Sequence, residues 1–170
     1  MSRAVAVLTH RPLEAGDRAP VEAMTRASPL FRPDEVSVAL DVFDAATGHG
    51  RRRDPDYSTS CALADGVLVG WICWGPTPCT VGTFDLYWIV VDPGWQGRGV
   101  GSSLVAEMER QIRGKARLVV VETAGRSEYA PTRAFYAARG YQVGATIADY
   151  YGEGDDLVTY VKRLGTEENT

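Results

Sequence analysis

Cysteine and histidine are scarce in this 170-residue chain, which has three cysteines (Cys61, Cys73, Cys79) and two histidines (His10, His49). The cysteines form neither a CxxC pair nor an even set, and no His/Cys cluster has zinc-ligand spacing. A disulfide framework and a metal site are therefore excluded as the basis of the fold. Cys61 and Cys73 lie in apolar runs and read as small buried side chains rather than nucleophiles. A reduced, metal-free interior fits the cytoplasm. No apolar run could span a bilayer, and Ala4 to Leu8 is too short for a signal-peptide core, so the expected location is cytoplasmic, with no membrane partner. A basic surface is missing as well. The formal net charge is −4, which argues against a nucleic-acid binder. It suits a cationic partner such as an amine, or solubility alone. Internal repeats and linkers are absent too.

What is present is ordinary for one soluble globular domain, with 45% hydrophobic and 24% charged residues. A chain of this length can bury roughly 70% of its unfolded surface. Residues 1–165 read as a single domain and 166–170 as a frayed tail.

Residues 4–9 read as a first strand. A helix is predicted from Asp17, an N-cap type residue, to Ala27, and a second opens at Pro33-Asp34-Glu35 and ends near Gly48. The stretch 48–56 contains Arg51-Arg52-Arg53 and no apolar residue. It reads as a solvated loop, with a phosphate-binding role as the less favoured alternative. Runs 57–63 and 67–74 are strand-like and joined through the turn signal Asp65-Gly66. Pro76 and Pro78 then force a loop, and Thr83 to Val91 is a long strand rich in aromatic and β-branched residues. Apolar spacing predicts a helix over 102–113, a short buried strand over 118–121 and a helix over 131–139 stopping at Gly140. Two last strands, 141–148 and 157–164, flank a polar loop at 152–156. This order describes a mixed α/β (α+β) domain around one sheet.

The chemistry concentrates where the long strand ends. After Asp92-Pro93 the chain turns through Gln96-Gly97-Arg98-Gly99-Val100-Gly101 into an amphipathic helix. A helix's first turn leaves backbone N–H groups without acceptors, and its dipole favours an anion there. Glycines let a diphosphate approach the backbone without meeting a Cβ, and Arg98 adds a positive charge. Gly97, Gly99 and Gly101 alternate, with Ser102 where the dinucleotide fingerprint places its third glycine. The Walker lysine is absent.

The spacing Q/R-x-x-G-x-G/A, with Val-Asp-Pro before it, resembles the coenzyme A motif of the GNAT acetyltransferase superfamily. Ala134-Phe135-Tyr136-Ala137-Ala138-Arg139-Gly140-Tyr141 resembles that family's A-x-x-Y-x-x-x-G-F/Y ending. The two matches bound a motif core at 83–141. The resemblance implies a single GNAT-like domain, with a mixed, mostly antiparallel sheet of about seven strands and about four helices. It implies acetyl-CoA as co-substrate, no metal, and transfer of acetyl to a primary amine. Ile89, Val90 and Val91 would present backbone groups to the pantetheine arm. Gln96, Gly97, Arg98, Gly99, Val100, Gly101 and Ser102 would hold the diphosphate. Tyr136 falls on the tyrosine that protonates the leaving thiolate in many members, or else packs beside the cofactor.

The attacking amine must be neutral, so a base or water relay is needed. Asp85 occupies the position of a glutamate base in the histone acetyltransferase branch, and Glu122 is its competitor. Either could instead bind the substrate's charge. Many members carry an asparagine seven residues before the tyrosine, where this chain has Tyr129. The segment resembles a subgroup with a Tyr-x-Pro-Thr-Arg-x-Phe-Tyr run. Trp71, Trp74, Tyr87, Trp88 and Trp95 read mainly as packing, with one or two left to line an acceptor pocket. The expected acceptor is a small cationic amine rather than a protein, and the family resemblance makes a homodimer the expected assembly. A non-catalytic acyl-CoA-binding sensor or partner subunit is the competing reading.

Overall fold

The computed structural model describes residues 7–165. In chain order the main elements are β1 (Leu8–Arg11), α1 (Arg18–Ala27), α2 (Pro33–Thr47), β2 (Ser58–Ala64), β3 (Val67–Pro76) and β4 (Thr83–Val91). They are followed by α3 (Val100–Ile112), β5 (Leu118–Ala124), α4 (Ala130–Ala137), β6 (Gln142–Gly152) and β7 (Asp155–Arg163). The strands form one seven-stranded sheet in the order β1-β2-β3-β4-β5-β7-β6. β4 and β5 are parallel, joined through α3 as a crossover. The pairs β1–β2, β2–β3, β5–β7 and β6–β7 are antiparallel. The mixed sheet with four α-helices is the expected fold.

The chain divides into two compact units. One comprises residues up to 74 together with 88–111, and the other 75–87 with residues from 112 onward. In the first, α2 starts with Pro33 in its first turn and stops at Gly48, whose φ of +79° is open to glycine and whose N–H donates to the Asp44 carbonyl. Val21 and Met24 of α1 and Leu40 and Phe43 of α2 share a core with Cys61, Trp71, Cys73 and Val90. β3 is buried from Val69 to Gly75, which is why it reads as an unbroken apolar run rather than an alternating one. Between Ala62↔Gly70 and Leu63↔Leu68 the β2–β3 register shifts, leaving Val69 as an extra residue in a β-bulge.

In the second unit the face formed by Leu86, Val121 and Tyr160 is buried, and Tyr136 of α4 packs on it through Tyr160. β6 is one edge of the sheet and is exposed along its whole length.

Several boundaries differ from the sequence reading. The first strand is Leu8–Arg11; positions 4–6 of the expected strand lie outside the described residues. Asp17 precedes α1, but its carboxylate makes no cap bond to that helix. It takes the Arg11 guanidinium at 2.7 and 2.8 Å and the Glu14 N–H at 2.8 Å instead. β3 runs on to Pro76, where a proline at a strand end costs no ladder bond. α3 starts at Val100, two residues early, so Gly101 and Ser102 are helical. β5 continues to Ala124 because Glu122 and Thr123 pair with Thr159 and Val158. α4 is shorter than read, ending at Ala137. The polar loop at 152–156 is a tight hairpin, with Gly152 paired to Asp155.

Candidate active site

The turn after β4 is built tightly. The Asp92 N–H donates to the Val69 carbonyl at 2.9 Å, which ties the end of β4 to β3. The Asp92 carboxylate accepts the Gly94 N–H at 2.8 Å, and its carbonyl accepts the Trp95 N–H at 2.8 Å, closing a short 3₁₀ turn over Pro93–Trp95. Gly97 and Gly99 follow at φ +71° and +81°, conformations that L side chains rarely adopt. Apart from the adjoining residues, no atom lies within 4 Å of where a Cβ would stand on either glycine, so their outer sides are open. Ser103 donates its N–H to the Gly99 carbonyl at 3.0 Å, and Val100 and Gly101 form the first turn of α3. Their N–H groups precede the helix's hydrogen-bond ladder, at the positive end of its dipole. The Arg98 guanidinium lies over the Trp95 ring, 4.9 Å from its centroid. Ser103 Oγ donates to the Val100 carbonyl at 2.8 Å and is 3.2 Å from His10 Nε2.

β4 supplies a second feature. Its register with β5 runs from Thr83↔Leu118 to Leu86↔Val121, and the strand continues past that last pair through Ile89, Val90 and Val91. A strand edge beyond its last ladder pair can pair with an extended ligand.

The two carboxylate candidates share a face. Asp85 is paired with Val120, and Glu122 is two residues further along the same side of β5. Tyr87 is on that face as well, partly exposed. Tyr160 points the other way from Thr159, the partner of Glu122, so α4 packs on the opposite side of the sheet from both carboxylates. Asp85 is half-buried and accepts a 2.7 Å hydrogen bond from the Thr77 hydroxyl. Glu122 is exposed and, after burial itself, is the strongest influence holding the Tyr151 phenol up at about 12; Tyr150, Tyr129 and Asp155 act in the same direction.

Tyr136 is 2% exposed. Its ring contacts Phe135, Tyr141 and Tyr160 with centroids 5.2, 5.5 and 6.2 Å away. Burial raises its phenol well above the ordinary value, Arg139 opposes this and Tyr129 adds to it. Such a group holds its proton at neutral pH and is a donor rather than a base.

The segment before α4 is more ordered than a loop. Arg126 pairs with Asp155 at 3.1 Å and lies over the Tyr129 ring at 4.8 Å. Arg133 donates to the carbonyls of Ala124 and Arg126 at 2.7 and 3.0 Å. Among the aromatic candidates, Trp71 and Trp74 are fully buried, and Trp88 packs edge-on against Phe31 at 5.3 Å. Tyr87 and Trp95 keep exposed surface. Arg51 and Arg52 are exposed, while Arg53 donates to the Ala46 carbonyl. Among the described residues no group of three or more His, Cys, Asp or Glu side chains could hold a metal ion, and no helix is long and apolar enough to cross a membrane. Sequence reasoning missed the Thr77 bond to Asp85, the Asp92 bond to Gly94 and the proximity of Tyr151 to Glu122. The Asp92 bond alone had a local signal, an Asp-Pro-Gly turn.

The model of the acetyltransferase (GNAT) family matches residues 22–141. A GNAT-family protein from Desulfovibrio desulfuricans aligns with a TM-score of 0.86 and 35% identity, over 94% of this chain and 100% of that one. The ribosomal-protein-S18-alanine N-acetyltransferase of Escherichia coli aligns with a TM-score of 0.73 and 18% identity, over 96% and 99% of the two chains. A Salmonella typhimurium protein, solved with its cofactor acetyl-CoA, gives 0.69 and 18%, over 96% of each chain. The last two speak to the fold alone. No curated protein matches the sequence at a significant level.

Proposed function

The chain belongs to the GNAT acetyltransferase family, and on that footing we propose that residues 1–165 form one domain that transfers acetyl from acetyl-CoA to the primary amine of a small cationic acceptor. The observation that carries this reading is the turn from Gln96 to Ser102. Two glycines at positive φ with open outer sides, followed by the first turn of α3, suit a diphosphate that must approach the backbone closely. Gln96, Gly97, Arg98, Gly99, Val100, Gly101 and Ser102 hold it. Ile89, Val90 and Val91, past the last β4–β5 pair, offer backbone groups to the pantetheine arm.

Acetyl-CoA supplies an activated acyl carbon. The acceptor nitrogen attacks it, a C–N bond forms and the C–S bond breaks. The nitrogen gives up a proton to Asp85, directly or through a water, and the departing sulfur takes one from Tyr136. A phenol held protonated by burial is suited to the second step. Thr77 fixes the Asp85 carboxylate. Asp85 and Glu122 on one face, with Tyr87 beside them, favour a positively charged acceptor over a neutral one.

The test is thermal unfolding with CoA, followed by thiol release over a panel of small amines and peptides. Binding to the folded state alone stabilises it by ~2.7 kcal/mol at a hundredfold excess over Kd. Absence of any protection by CoA defeats the proposal. Protection without thiol release from any acceptor replaces it with a non-catalytic acyl-CoA-binding module. Turnover of peptides but not small amines corrects the acceptor class.

A further inference from the structure

The β-bulge on β3 touches the chain on both sides of the glycine turn proposed to bind coenzyme, at Asp92 before it and at Val100 where α3 begins. At the entry, the Asp92 N–H donates to the carbonyl of Val69, the bulged residue, at 2.9 Å. At the exit, Val100 begins α3 over Gly70, the next residue of the bulge. A Cβ built on Gly70 would lie 2.9 Å from Val100 Cγ1, 3.1 Å from Leu104 Cδ1 and 3.1 Å from the Val90 carbonyl oxygen. A bulge bends its strand and redirects backbone groups. Here it aims one carbonyl at Asp92 and leaves a gap, one methyl group wide, that the first turn of α3 fills.

We infer that the Val69–Gly70 bulge is the base that sets the span of the coenzyme turn, so that Gly70 is a positioning residue for recognition of the diphosphate. This rests on reading that turn as the coenzyme A site. A methyl on Gly70 meets two neighbours that yield poorly: Val100 is stiff at χ1, and the Val90 oxygen belongs to the backbone. The helix start must lift off the strand while Asp92 stays tied to Val69. The turn is stretched, and N–H groups converging on one anion are sensitive to ~0.5 Å. Of the backbone groups offered to the pantetheine arm, only the Val90 carbonyl borders this gap, so the arm is disturbed less than the diphosphate.

The experiment compares wild type, Gly70→Ala and the double variant Gly70→Ala/Val100→Ala. CoA affinity is measured by calorimetry, and turnover is measured with acetyl-CoA and with S-acetylpantetheine, which has no diphosphate. For Gly70→Ala the expected result is at least tenfold weaker CoA binding, with a clearly smaller loss of kcat/KM for S-acetylpantetheine. Removing the Val100 methyls relieves the nearest of the three contacts, so the double variant recovers part of the lost affinity. A glycine that served packing alone would lower both donors together. Three results would overturn the inference: CoA binding by Gly70→Ala within twofold of wild type, equal loss with both donors, or no recovery in the double variant. If Gly70→Ala does not fold, Val100→Ile crowds the same contact from the helix side and carries the same expectation. Failure of the wild type to bind CoA defeats the coenzyme reading itself, a separate result.

Discussion

Replacing Tyr136 by phenylalanine separates proton donation from packing. The ring is 2% exposed and meets three aromatic neighbours at 5.2 to 6.2 Å, all of which phenylalanine can keep. Only the hydroxyl is lost, a change of about 1 kcal/mol or less in stability. A general acid contributes ~10²- to 10⁴-fold in rate, or ~3–5 kcal/mol of barrier. Tyr136→Phe is therefore expected to lower kcat by at least ~10²-fold, with Tm and CoA affinity close to wild type.

The pH dependence follows from the same burial. The folded phenol binds its proton more tightly than an unfolded one, whose pKa is about 10. The stability it contributes is fully present below pH ~10 and is lost as pH rises beyond that. Wild-type kcat should accordingly show no alkaline fall from this group below pH ~10. The assay is thiol release from about pH 6 to 10, with calorimetry and melting curves on both proteins. The reasoning is refuted if Tyr136→Phe keeps kcat within about threefold of wild type, or if CoA binding and kcat fall together.

Asp85→Asn is expected to lower kcat about a hundredfold, while Glu122→Gln chiefly raises KM for the acceptor; the reverse pattern would make Glu122 the base. Phe43→Ala, in the core of the first unit with no exposed surface, is expected to cost ~3–5 kcal/mol. This would be read as a lower denaturant midpoint at unchanged m, and a loss under ~1 kcal/mol would contradict the described packing. Thiol labelling of the native protein should find one fast cysteine, Cys79, which is exposed, and two slow ones. Burial raises the Cys61 thiol and pushes Cys73 up to about 12. A second fast thiol would refute this, and Cys79→Ser would remove the background from every thiol-release measurement.

Legibility in the sequence followed the range of the forces involved. Thr83–Val91 is bounded by Gly82 and by Pro93, and α2 by Pro33 and Gly48, so local chemistry marks their ends. The turn through Gly97 and Gly99 into α3 is legible for the same reason, since glycine spacing and a helix start are local. β5 reads short in the sequence because Glu122 and Thr123 look like strand-ending residues, and only their pairing with β7 keeps them in the sheet. The hairpin at Gly152–Asp155 reads as a loop because its acidic residues hide the pairing; there Asp156 accepts the Asp149 N–H and Asp149 accepts that of Gly154. That Asp85 and Glu122 share a face depends on the register of two strands far apart in sequence. Gly70 carried a weak local hint, an isolated glycine in a strand, but its neighbours Val100 and Leu104 come from another element.

The stacking of Arg98 on Trp95 gives the turn its own optical signal. Of the four indoles, Trp71 and Trp74 are sealed from solvent and Trp88 is half-buried against Phe31. Trp95 alone stands in the turn, with a guanidinium over its ring. A diphosphate that draws Arg98 away changes the charge above that indole and therefore its emission. On the proposed reading of the turn, arrival of the coenzyme can then be followed in real time by intrinsic fluorescence, on unlabelled protein and before any acyl group moves.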